Sequence, residues 1–287
     1  MSKINPARTL REPAELVARG LAPAVDLPDL EKVAARYAVA VTPAMAGLID
    51  PGDPDDPIAR QFIPSAEELV TQRNEDADPI GDHTHSPVAG IMVDLAAIDH
   101  VRIIRIHTRV PVADPARITR EMVAALKVKG ATTWIALHAN HVRELTDKAR
   151  AACADIIDAG IPMVSQSVLL RGVNDNAGAL EALMRAFVEC RIKPYYLHHG
   201  DLAPGTAHLR TTLAHGQELM RALRGRVSGL CQPDYVVDIP GGHGKAPVGP
   251  NYLSDANSFS REREQPGETR YRIIDYCGDV HLYPPKP

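Results

Sequence analysis

TTWIALHANHVRELTDKARAACADIIDAGIPMVSQSVLL, residues 132–170, decides the fold. It opens on the β-branched, apolar run Thr132–Leu137 and passes into a helical stretch from Arg143 to Ala159. Gly160 then stands where a helix ends in the left-handed region, and a second strand-like run follows at Ile161–Leu170. A strand, a helix and a strand in this order predict two parallel strands joined by a crossover. The same alternation continues outward. Upstream lie the strand Val101–His107 and a helix carrying Ile118, Met122, Val123 and Leu126 that closes at Gly130. Downstream, a helix with Leu180, Leu183, Met184 and Phe187 leads to the strand Ile192–Leu197, and a helix around Gln217–Leu223 leads to a fifth, Tyr235–Asp238. The pattern predicts an α/β fold: a parallel sheet covered by helices, open or closed into a barrel.

The residues before this region read differently. Pro and Asp cluster at 21–30 and 50–57, which is turn chemistry. One helix is expected after Asp26-Leu27-Pro28, with Leu30, Val33 and Tyr37 on one face, and another at the capping box Ser65-x-x-Glu68. Charge is nearly balanced at a net −4, which argues against a nucleic-acid partner. No run approaches the length of a membrane span and the start has no apolar leader, so a cytoplasmic protein is expected. Cys153, Cys190, Cys231 and Cys277 are far apart, unlike the close pairs of a zinc or iron–sulfur loop.

In parallel α/β folds chemistry gathers at the carboxyl ends of the strands. Those ends carry His107-Thr108-Arg109, His138-Ala139-Asn140-His141, Gln166, Arg171, His198-His199-Gly200-Asp201 and Asp238. A purely structural domain has no need of such a series, so an enzyme is favoured. The loop from Gly241 to Lys245 suggests a phosphate-binding P-loop, but Ile239 and Ala246 stand where that motif needs Gly and Ser or Thr. Lys245 is then either a Schiff-base lysine for pyridoxal phosphate or a solvated loop residue. Asp201 and Asp238 sit at consecutive strand ends and could converge on an ammonium group, or each could cap its own loop. His83-x-His85, His138 with His141, and His198-His199 could ligate a metal, though no acidic third ligand stands at a fixed spacing.

Several motifs together resemble the lysine 2,3-aminomutase family, radical S-adenosylmethionine enzymes that also use pyridoxal phosphate. They are Asp78-Pro-Ile-Gly-Asp82 through His85-Ser-Pro87, His107-Thr-Arg-Val-Pro111, and Gln166 through Asp175. Pro194-Tyr-Tyr196, Asp201 in its His-His-Gly-Asp-Leu setting, Val237 through Val248, and Pro250-Asn-Tyr252 complete the series. The resemblance implies that Lys245 carries pyridoxal phosphate, that Asp201 and Asp238 bind the side-chain ammonium of L-lysine, and that Gln166, His138 and Asn140 face the nucleotide and cofactor. It also implies a homo-oligomer that converts L-lysine to L-β-lysine. One segment of the family pattern is missing. Gly90-Ile91 runs almost directly into Met92-Val93, where relatives carry a Cys-x-x-x-Cys-x-x-Cys loop for a 4Fe-4S cluster and the strand that meets S-adenosylmethionine. Asn176 likewise stands where some members place a zinc-binding Cys.

The expected architecture is therefore a helical N-terminal module over residues 1–90, a partial radical-SAM-type (β/α) barrel lacking its first strands over 91–253, and a tail over 254–287. The expected activity is that of an aminomutase relative unable to turn over, since cluster irons are held by thiolates. The alternatives are a non-radical pyridoxal phosphate enzyme, a metal-dependent hydrolase on the surviving half-barrel, and a non-catalytic remnant.

Overall fold

The computed structural model describes residues 8–70, 88–255 and 271–283. Four short helices come first: α1 Pro13–Ala18, α2 Leu27–Ala34, α3 Pro43–Ala46 and α4 Ala59–Phe62. They close around Leu10, Leu16, Leu30, Val39, Val41, Met45 and Ile58, a cluster separate from the main core. The Ser65 capping box forms both of its hydrogen bonds but holds only the single 3-10 turn Ala66–Leu69, not a full helix.

After α5 Val88–Ala96 the chain builds a six-stranded sheet in the order β1 Ile103–Thr108, β2 Thr132–His138, β3 Met163–Leu169, β4 Lys193–His199, β5 Asp234–Asp238 and β6 Lys245–Pro247. The first five strands are parallel, and the sheet curls as a partial barrel. Helices α6 Val110–Ala113, α7 Arg120–Ala125, α8 Asp147–Asp158, α9 Ala177–Glu189 and α10 Leu213–Leu223 lie between the strands. The last four begin at side-chain caps, where Thr119, Thr146, Asn176 and Thr212 accept the backbone N–H three residues on. Asn176 is thus a helix cap. The helix expected to begin at Arg143 begins at Asp147, because Thr146 caps it and Val142–Glu144 forms a separate 3-10 turn.

Strand residues Ile135, Leu137, Leu169, Leu197 and Tyr235 meet Ile156, Leu180, Phe187 and Leu219 in one buried cluster. Five strands follow the expected alternation. β6 was not foreseen: it returns antiparallel to β5 after a turn in which Gly241, Gly242 and Gly244 all have positive φ, a conformation glycine adopts without strain. A three-stranded antiparallel sheet, β7 Leu253–Asp255, β8 Tyr271–Ile274 and β9 Val280–Tyr283, follows where only a tail was expected. Among the described residues no helix is long and apolar enough to cross a membrane.

Candidate active site

Side chains on a strand alternate between faces, so every second residue of each strand lies opposite the helices. On that face, at the carboxyl ends, polar residues from successive strands meet in one row. His138 Nε2 of β2 lies 3.0 Å from Gln166 Oε1 of β3, and Gln166 Nε2 lies 3.1 Å from His198 Nε2 of β4. His198 Nδ1 lies 3.2 Å from Asp238 Oδ2 of β5, and the other oxygen of Asp238 pairs with Lys245 Nζ of β6. At the other end His107 of β1 sets its ring edge-on to His138 at 5.7 Å and accepts a hydrogen bond from Arg105 Nε at 2.9 Å.

The row depends on one irregularity. The β3–β4 register shifts after Ser165, which pairs with Pro194, whereas Gln166 pairs with Tyr196. Tyr195 is the extra residue, and such a bulge turns every later side chain to the other face. His198 therefore joins Gln166, while its neighbour His199 points among the helices and bonds the Tyr235 hydroxyl at 2.7 Å. The Tyr195 and Tyr196 rings stack at 3.9 Å.

Electrostatics follow the geometry. Burial holds His138 below the ordinary histidine value against the hydrogen bond it makes to the Gln166 carbonyl oxygen. Burial also lowers His198, helped by the charge of Lys245 and opposed by Asp238. Asp201, just past β4, is raised first by burial and then by the nearby charge of Asp238, with Lys245 acting the other way. Asp201, Asp238 and Lys245 are thus within electrostatic reach of one another.

Of the residues singled out from sequence, His138, Gln166, Asp238 and Lys245 stand in the row and Asp201 beside it. Asn140 does not. Its side chain accepts from the Val168 N–H at 2.9 Å and donates to Gln61 Oε1 at 3.1 Å, which makes it part of the frame behind the site. That frame centres on Glu144, fully buried, which accepts the backbone N–H groups of Asn140 and His141 and pairs with Arg109 at 2.6 Å. Gln61 of α4 and the buried Asp56 in the turn before it also reach this frame, Asp56 through an ion pair with Arg143 at 2.6 Å. His198 was visible as a strand-end histidine but not as the link between Gln166 and Asp238.

The metal alternative finds little in this geometry. His141 is spent capping the turn at Arg143, and His83 and His85 lie outside the described residues. Among the described residues no three His, Cys, Asp or Glu side chains are grouped to hold an ion.

Comparison with known proteins now bears on this site. A family model described as lysine-2,3-aminomutase matches residues 220–263, which include Asp238 and Lys245. The L-lysine 2,3-aminomutase of Clostridium subterminale is 34% identical over 290 aligned residues, covering 75% of this chain and 70% of that protein. The chain belongs to the lysine 2,3-aminomutase family. The enzyme of the same name from Acetoanaerobium sticklandii is also 34% identical, with 76% of this chain and 71% of that protein covered. A glutamate 2,3-aminomutase from Clostridioides difficile is 39% identical over 57% of this chain and 38% of its own length. The aminomutase family thus includes members whose names give different amino acid substrates.

Proposed function

We propose that this chain keeps the part of an aminomutase site that binds pyridoxal phosphate and the cationic end of L-lysine, and does not generate the radical of its relatives. The observation that carries the reading is the Asp238–Lys245 ion pair at the end of the polar row, with Asp201 within electrostatic reach of both. The Lys245 side chain is 39% exposed and follows a glycine turn, so a carbonyl compound that displaces Asp238 can reach its amine. Pyridoxal phosphate, when bound, supplies an aldehyde carbon for an amine and an electron-withdrawing ring. In the free chain Lys245 covers one oxygen of Asp238. Once that amine is engaged elsewhere, Asp238 and Asp201 are two neighbouring carboxylates without a cation, a pairing that favours an ammonium ligand. This supports lysine over glutamate as the amino acid bound.

The cysteines do not fit an iron–sulfur cluster. Cys153 and Cys231 are buried in the core behind the sheet, Cys190 ends α9, and Cys277 lies exposed in the turn between β8 and β9. Burial pushes the Cys153 thiol up to about 12, far from the thiolate that iron requires.

Borohydride reduction after incubation with pyridoxal phosphate is expected to fix the cofactor on the peptide containing Lys245, and Lys245→Ala to remove that adduct. Labelling spread over other lysines with Lys245 unmodified overturns the binding assignment. Anaerobic reconstitution with iron and sulfide is expected to leave no reducible cluster by spin resonance. A stoichiometric cluster signal overturns the second half.

A further inference from the structure

We propose that His198 is a positioning residue for Asp238, held in its Nδ1–H tautomer by the Gln166 amide so that one carboxylate oxygen is fixed and the other is left for a cation. The inference rests on the reading of Asp238 as a receptor for an ammonium group. It follows from the donor and acceptor inventory of the row. An ionised carboxylate only accepts, so the Nδ1 of His198 that faces Asp238 must carry the proton. In a neutral imidazole its Nε2 is then an acceptor, and the group facing it must be the amide NH2 of Gln166. The amide carbonyl is thereby turned to His138, whose Nε2 must donate.

Each bond thus fixes the next, and reversing any one of them sets donor against donor or acceptor against acceptor. Burial, which lowers both histidines, keeps them in the neutral form that this order needs. The carboxylate gains directionality. Asp238 Oδ2 is tied to His198, and Oδ1 faces Lys245.

The test is nitrogen-15 NMR of the full chain with labelled histidine, with the His198 signals assigned through His198→Asn. The expected result near neutral pH is a neutral His198 with the proton on Nδ1. In Gln166→Glu an acceptor faces Nε2, and His198 is expected to take a second proton, its titration moving up by about one unit or more. A wild-type His198 protonated on Nε2, or a titration unchanged in Gln166→Glu, overturns the proposal.

Calorimetry with L-lysine on the pyridoxal phosphate-loaded chain adds a functional readout. His198→Phe is expected to weaken binding about tenfold or more, while His198→Asn, which restores a donor near Nδ1, recovers most of it. Equal affinity in wild type and His198→Phe overturns the positioning role. If the wild type itself binds no lysine, the ammonium-receptor reading has failed and, with it, the positioning role that rests on it. The tautomer measurement then reports only on the hydrogen-bond order.

Discussion

Five histidines, His107, His138, His141, His198 and His199, are held below their ordinary value, in each case first by burial. The folded chain therefore binds fewer protons than the unfolded one as the solution turns acid. The stability these residues contribute is complete above the unfolded value of about 6.5 and is lost as pH falls through their depressed native values. Glu68 and Asp201, both raised by burial, work in the opposite sense, starting from the lower carboxylate range near 4. Thermal unfolding followed by circular dichroism is expected to show a midpoint that falls steadily from pH 7 to pH 5. Replacing the half-buried His138 by Asn is expected to flatten part of that slope.

At the scale of elements, two contacts hold the frame behind the site. Glu144 ties the turn after β2 to Arg109 and to Gln61, so three separate stretches of chain meet on one fully buried carboxylate. Truncating Glu144 leaves Arg109 partly solvated but takes the acceptor from the buried Asn140 and His141 N–H groups, at a cost of about 1–3 kcal/mol. Glu144→Ala is expected to lose that much in urea unfolding and Glu144→Gln less, since the amide oxygen still accepts the Asn140 and His141 N–H groups. The second contact is the seat of α10 on β5. A Cβ at Gly216 would overlap the Tyr235 ring. Gly216→Ala is therefore expected to destabilise the chain by about 1–3 kcal/mol, the usual effect of overpacking, despite alanine's higher helix propensity. A rise in the denaturation midpoint would contradict this.

For the molecule as a whole, the sheet formed by the described residues has an open side at β1. Among the described residues nothing pairs with the outer edge of β1, and Ile103 at its start is 67% exposed. The neighbouring α5 buries Met92 but exposes Val93 and Ile91. An unpaired edge beside apolar side chains templates association unless charge blocks it. Ile103→Lys is expected to lower concentration-dependent light scattering and raise soluble yield with no loss of folded signal. Unchanged scattering would show that this edge is not the sticky surface.

The amino-acid sequence by itself determined the alternation of strands and helices from Val101 to Asp238, the strand-end positions of Asp201 and Asp238, and the glycine loop that carries Lys245. These follow from apolar periodicity and local backbone chemistry, which neighbours along the chain report directly. Tertiary structure alone decided that Asn140 belongs to the frame, that β6 returns antiparallel, and that His198 rather than His199 faces the row. The physical reason is register. Strands lie about 4.8 Å apart, so which side chains touch depends on how each strand slides against the next. The single extra residue Tyr195 reverses the faces of everything after it in β4. No local signal in the Tyr195-Tyr196 pair announces that bulge, yet it brings His138, Gln166, His198, Asp238 and Lys245 into one line.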